Sequence, residues 1–123
     1  MRLMSTRRTN PPFLNGVPEL LVLQLLARKP MYGYELVQAI KTTTDHAFEF
    51  GEGCIYPILH RLEADRMLSA RRETVAGRSR VVYQVTDKGR KQLVTSVACW
   101  EQVVKAVDRV LRGGADDGQP VLA

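Results

Sequence analysis

The spacing of apolar residues predicts three short helices in the first half of the chain. The first begins near Pro18 and is apolar almost all round, which predicts burial on more than one side. The second runs from about Tyr32 to Lys41, after the helix-ending pair Lys29-Pro30. The third begins between residues 51 and 53, and its inner face is predicted to contain Ile55, Ile58, Leu59 and Leu62.

Pro57 lies inside the third predicted helix, where the missing N–H removes a backbone hydrogen bond if the residue is beyond the first turn. We therefore expect either a later start of this helix or a small local distortion. The face opposite the apolar one is polar, aromatic and basic, which is typical of a helix that contacts a polyanion.

From Ser69 the pattern changes from helical to strand periodicity. Two strands are predicted, over residues 69–74 and 80–85, with Val81, Tyr83 and Val85 on one side of the second. The loop that joins them is predicted over residues 75–79, with Gly77 at the permissive turn position. These strands form a two-stranded wing that carries Arg72, Arg78 and Arg80 at or near its tip.

Thr86 is the predicted N-cap of a long last helix. Apolar residues recur along it at alternating intervals of four and three, as in a coiled-coil seam. Such a stripe needs a partner helix from the same domain, from a second chain, or from both, and we favour both. The predicted dimerisation residues are Leu93, Val97, Trp100, Val104, Val107 and Leu111.

The positive charge is concentrated in one part of the chain. The formal net charge is +5, but between residues 66 and 91 only Glu73 and Asp87 oppose the basic side chains. Cations gathered on one surface are what phosphate contacts require, so a nucleic-acid partner is expected. The eight basic residues of this segment are Arg66, Arg71, Arg72, Arg78, Arg80, Lys88, Arg90 and Lys91.

Several other classes of function have little support. Cys54 and Cys99 are too few and too far apart for a disulfide framework, and with two histidines they predict neither a metal site nor a cofactor. No nucleophile–base pair or phosphate loop indicates an enzyme. No apolar run reaches membrane-spanning length, so we expect a cytoplasmic protein without a membrane partner.

Three helices, a wing and a long helix are the elements of a winged helix-turn-helix with a C-terminal dimerisation helix. The fold class is therefore mainly α with a two-stranded β-wing. The predicted domains are a flexible arm over residues 1–12, a DNA-binding domain over 13–86, the dimerisation helix over 87–112 and a disordered tail over 113–123.

Three motifs in this order resemble the PadR family of bacterial transcriptional regulators, over roughly residues 19–111. They are Tyr32-Gly33-Tyr34-Glu35-Leu36, Ile55-Tyr56-Pro57-Ile58-Leu59-His60-Arg61-Leu62 and Tyr83-Gln84-Val85-Thr86-Asp87-Lys88-Gly89. With one C-terminal helix the chain is similar to the short subfamily. The resemblance implies a homodimeric repressor, often released from DNA by a small molecule. Arg66 departs from the usual glycine and Cys54 from the usual Ser or Thr.

Base or phosphate contacts are predicted from the outer face of the third helix and from the wing, most strongly for Arg61. The alternatives are a solvated helix face and an ordinary charged hairpin. For Tyr34 we favour packing over a phosphate hydrogen bond. The candidate DNA-binding residues are Gly53, Cys54, Tyr56, Pro57, His60, Arg61, Arg72, Arg78, Arg80, Lys41 and Tyr34.

Trp100 is the only tryptophan and lies in the middle of the predicted seam. Drug-sensing members of the resembled family are similar in pairing tryptophans across the two-fold axis around flat aromatic ligands. A planar hydrophobic effector would contact Trp100, Val103, Val104 and Val107, although simple dimer packing is favoured. The predicted function is a repressor on a pseudo-palindromic operator in double-stranded DNA. The alternative is a small-molecule sensor without specific DNA binding.

Overall fold

The computed structural model describes residues 16–113, so the predicted arm over 1–12 and the tail from residue 114 lie outside the described residues. Four helices and a small antiparallel sheet confirm the predicted fold class. Two compact units divide between Leu93 and Val94. The elements are α1 (Val17–Arg28), β1 (Met31–Tyr32), α2 (Gly33–Thr43), α3 (Glu52–Ala64), β2 (Leu68–Val75), β3 (Arg78–Val85) and α4 (Asp87–Leu111).

The core of the first unit lies between α1, α2, α3 and the sheet. All four residues predicted for the inner face of α3 are buried. Because that face is fixed against the core, the opposite face of α3 is directed to solvent. The largest fully buried side chains are Val22, Leu23, Leu26, Leu36, Ile40, Ile55, Leu59, Leu62 and Leu68.

The sheet has a third strand that the sequence did not predict. Met31 and Tyr32 pair antiparallel with Tyr83 and Val82, which gives the strand order β1-β3-β2. Tyr32, the approximate predicted start of the second helix, is the N-cap of α2 and also the second residue of this strand. Two residues are too few to show strand periodicity, and their partner lies some fifty positions away, so no local pattern could have indicated this strand.

The turn of the wing is shorter than predicted. β2 and β3 are joined by Ala76 and Gly77 alone, with φ values of 51° and 78°, the pattern of a type I′ turn. The prediction of a loop over residues 75–79 was wrong, because Val75 and Arg78 still pair across the strands.

The ends of the helices are set by specific hydrogen bonds. The Thr86 hydroxyl accepts the Gly89 N–H at 3.1 Å, which confirms the predicted cap of α4. α2 continues to Thr43, past its predicted end, and the Thr44 hydroxyl then donates to the Ile40 carbonyl at 2.7 Å. α3 begins at Glu52, within the predicted range of residues 51–53, so of the two alternatives expected from Pro57 the later start does not occur.

Candidate nucleic-acid interface

The outer face of α3 presents most of the predicted contact residues to solvent. Gly53, Cys54, Pro57, His60 and Arg61 are exposed, while the core residues of the helix are buried. A β-carbon at Gly53 would meet no atom within 4 Å, so this end of the helix is open to close approach. Because residue 57 is a proline, the Gly53 carbonyl also lacks the hydrogen bond that residue 57 would otherwise donate.

Tyr56 is half-buried and packs its ring against the start of α2. A β-carbon added to Gly33 would overlap the tyrosine ring, so glycine is required there for this close packing. The ring centroid of Tyr56 lies 6.3 Å from that of His60. Burial raises the pKa of Tyr56 above its ordinary value, and the negative charge of the Glu52 carboxylate raises it further, by a smaller amount. The hydroxyl therefore stays protonated at neutral pH and can donate a hydrogen bond.

Arg61 is held by an acidic residue from another helix. Its Nη2 donates to Oε1 of Glu19, in the first turn of α1, and the Arg61 side chain remains 54% exposed. An arginine has five N–H donors, so this contact leaves donors that can reach a ligand.

The wing arginines are divided between the two faces of the sheet. Residues that pair directly across an antiparallel ladder share a face, and Arg72 pairs with Val81 whereas Arg80 pairs with Glu73. Arg72 lies on the same face as the buried Tyr83 and donates to the Ser79 hydroxyl at 3.2 Å. Arg78 and Arg80 lie on the other face.

The arginines of that other face differ in their contacts. Arg80 stacks over the Tyr32 ring, 4.4 Å from its centroid. Arg71 forms an ion pair with Glu73 at 2.7 Å. Arg78 is exposed, and its side chain has no hydrogen bond or ion pair within residues 16–113. Of this set, Arg78 is therefore the side chain that no hydrogen bond, ion pair or cation–π contact restrains within residues 16–113.

Two candidates at α2 have different surroundings from those expected. Tyr34 is 53% exposed, so the packing role that we favoured for it was wrong. The Lys41 ammonium lies 3.4 Å from a Glu49 carboxylate oxygen. Glu19 and Gly33 were not predicted as parts of the site. Gly33 was detectable from its motif, whereas nothing in the sequence pairs Glu19 with Arg61.

In the second unit, α4 carries an apolar stripe with exposed side chains. Val97 is half-buried, and the exposed members are Val94, Trp100, Val103, Val104, Val107, Val110 and Leu111. Leu93, the first residue of the predicted dimerisation seam, belongs to the first unit. It is only 8% exposed, so it is buried without a second chain.

The described part of the chain offers little to other chemistries. Among residues 16–113 no cluster of three or more His, Cys, Asp or Glu side chains could hold a metal ion. None of the helices described for these residues is long and apolar enough to cross a membrane. Cys54 and Cys99 are both exposed free thiols.

A three-helix core followed by an arginine-rich hairpin is the winged helix-turn-helix fold, a fold that many transcriptional regulators use. The model of the transcriptional regulator PadR-like family matches residues 22–95. The chain belongs to the PadR-like family, whose members are transcriptional regulators and not enzymes.

Similar proteins come from several bacteria. A transcriptional regulator of Mycobacterium tuberculosis is 33% identical over 95 residues, which cover 77% of this chain and 86% of that protein. A PadR-like regulator of Bacillus cereus superposes with a TM-score of 0.73 at 30% identity, covering 84% of this chain and 99% of that one. A PadR family regulator of Eggerthella lenta gives a TM-score of 0.70 at 30% identity, covering 80% and 85%.

Proposed function

We propose that this chain is a homodimeric repressor that binds a specific sequence in double-stranded DNA. The observation that carries the proposal is the exposed face of α3, where an open glycine, Pro57, His60 and Arg61 lie beside the half-buried Tyr56. An α-helix with such a face fits the major groove of B-DNA. PadR-family regulators bind DNA and typically dimerise, which supports the same function.

The wing supplies contacts to the DNA backbone in this proposal. Arg78 reaches a phosphate or the minor groove, since no intramolecular partner restrains its side chain within residues 16–113. Arg72 assists from the opposite face of the hairpin. Arg80 holds the wing to Tyr32 through its cation–π contact, so its role is mainly structural.

Dimerisation in this proposal uses the exposed stripe of α4. Two such helices would cover each other's valines and Trp100, which removes apolar surface from water. A two-fold dimer requires a pseudo-palindromic operator with half-sites about one helical turn apart. Trp100, Val103, Val104 and Val107 would also line the site of a planar hydrophobic effector that relieves repression.

The first test is fluorescence anisotropy with DNA from upstream of the chain's own gene, against scrambled DNA, across a salt series. A specific regulator binds the operator about a thousandfold or more tighter than scrambled DNA. Equal and steeply salt-dependent binding to both would contradict the proposal. Quenching of Trp100 fluorescence by planar ligands, without operator binding, would favour a small-molecule sensor instead.

Two variants separate the roles of α3 and the wing. Arg78→Ala should weaken binding to every sequence and reduce the salt slope by about 0.9, the value for one phosphate contact. Tyr56→Ala should instead reduce discrimination between operator and scrambled DNA. Arg71→Ala is the matched control on the wing, because its Nε and Nη2 already donate to Glu73 and its Nη1 to Gln84, whereas Arg61 has a single engaged nitrogen within residues 16–113. Equal losses on both DNAs in the Arg78 and Tyr56 variants would contradict this division.

A further inference from the structure

The ion pair between Arg61 and Glu19 joins the outer face of α3 to the first turn of α1. We propose that Glu19 is a positioning residue that orients the Arg61 guanidinium for contact with a guanine edge in the major groove. This inference rests on the proposed binding of α3 to DNA. It adds a specificity-determining residue that makes no contact with the DNA itself.

The contact can orient the Arg61 guanidinium and still leave N–H donors available to the DNA. Glu19 engages Nη2, so the remaining N–H donors of the planar guanidinium are held in a fixed direction. Guanine presents O6 and N7 as two acceptors in the major groove, and a bidentate arginine is the commonest partner of this edge. An arginine on a surface helix otherwise samples many rotamers, and ordering it on binding costs conformational entropy.

The carboxylate also has an electrostatic consequence. The negative charge of Glu19 offsets the positive charge of Arg61 and repels the DNA backbone. Contacts between Arg61 and phosphates of any sequence are therefore weakened. Both side chains are partly exposed, at 54% for Arg61 and 34% for Glu19, so the pair contributes little to folding stability. Its effect on DNA selection can therefore be measured in a folded protein.

Glu19→Gln tests the proposal, because it keeps the shape of the side chain and removes the charge. We expect operator binding to weaken about tenfold, a loss at the low end of the range for one bidentate base contact. Binding to scrambled DNA should become no weaker, since a negative charge has been removed. Arg61→Ala and Glu19→Gln should also relax the preference at the same guanine when each operator position is substituted in turn.

The double variant and a charge control make the result specific. In the Arg61→Ala background, Glu19→Gln should cause no further loss of operator binding. Asp108→Asn removes one negative charge from the exposed ion pair with Arg112 in the second unit, so it controls for net charge. Circular dichroism and thermal unfolding are needed to check that each variant is folded.

The outcomes separate this inference from the proposed function. Weaker operator binding together with unweakened scrambled binding supports the inference. Equal tightening on both DNAs would show that Glu19 only opposes phosphate charge. Unchanged binding to both DNAs would show that the ion pair is unrelated to DNA binding. Either result overturns the inference. If the unmodified protein itself shows no operator preference, the proposed function fails and the inference fails with it.

Discussion

Arg66 holds a left-handed backbone conformation that favours glycine, with a φ of 64°. It follows α3 and completes a Schellman closure, in which the Met67 N–H donates to the Leu62 carbonyl and the Arg66 N–H to the Glu63 carbonyl, both at 2.9 Å. Arg66 stands where the PadR family usually has glycine, and α3 nevertheless ends with the same kind of closure that a glycine would allow. Its cost is strain, because a β-carbon is disfavoured at this φ.

We predict that Arg66→Gly raises the free energy of unfolding by about 1 kcal/mol, by removing that strain. Urea denaturation followed by circular dichroism measures the change. Arg66→Ala is the control, since it also removes the guanidinium but keeps the β-carbon. If alanine stabilised the protein as much as glycine, the charge and not the backbone would be the source of the gain.

The same pair of variants tests whether Arg66 contacts phosphate. Arg66 is exposed and lies between α3 and the wing in the chain. If it contributes one phosphate contact, both variants should reduce the salt slope of DNA binding by about 0.9. Unchanged slopes in both would leave Arg66 with a purely conformational role.

At the scale of elements, the turn of the wing decides which face each arginine occupies. The predicted loop over residues 75–79 would have paired Thr74 with Arg80 and placed Arg72 on the same face as Arg80. The observed two-residue turn pairs Arg72 with Val81. A shift of one residue in register moves every side chain of a strand to the other face.

Ala76 explains why this register was not predictable. A type I′ turn requires positive φ at both central residues, and asparagine or glycine is the usual first residue. Ala76 gives no such signal, so Gly77 alone appeared as the turn residue. The helical pattern was more informative, because the four apolar residues of α3 fix its buried face and hence its outer face. Contacts between distant residues, such as Glu19 with Arg61 and β1 with β3, leave no local pattern.

We predict that Ala76→Asn stabilises the wing by about 0.5–1 kcal/mol, since asparagine tolerates the left-handed conformation of this turn better. Thermal unfolding measures the gain, and amide hydrogen exchange of β2 and β3 should slow. Ala76→Val is the opposite control, because a β-branched residue at positive φ should destabilise the hairpin. The prediction fails if asparagine and valine shift stability in the same direction.

At the scale of the whole molecule, the exposed apolar stripe of α4 is the surface on which the proposed dimer depends. Apart from the half-buried Val97, its valines and Trp100 are between 42% and 79% exposed, more apolar surface than a solvent-facing helix needs. Leu93, at the start of the predicted seam, is instead buried, at 8% exposed. The stripe available to a second copy therefore begins after Leu93.

We predict that Val104→Glu raises the dissociation constant of the proposed homodimer by about 10- to 100-fold, because burying a valine contributes about 1.5–3 kcal/mol and the new charge opposes burial. Sedimentation velocity over a concentration series measures it. Gln102→Glu introduces the same charge at a polar position of α4 and should leave the dimer intact.

The same variant tests whether dimerisation and DNA binding are linked. A dimer engages two half-sites at once, so the second contact has a high effective concentration and the full operator is bound much more tightly than one half-site. Val104→Glu should therefore lose affinity for the full operator while binding an isolated half-site as well as the unmodified protein does, because its α3 and wing are unchanged. Anisotropy with the two DNA lengths distinguishes these effects. If half-site binding fell equally, the substitution would have damaged the DNA-binding unit, and the stripe could not be assigned to dimerisation alone.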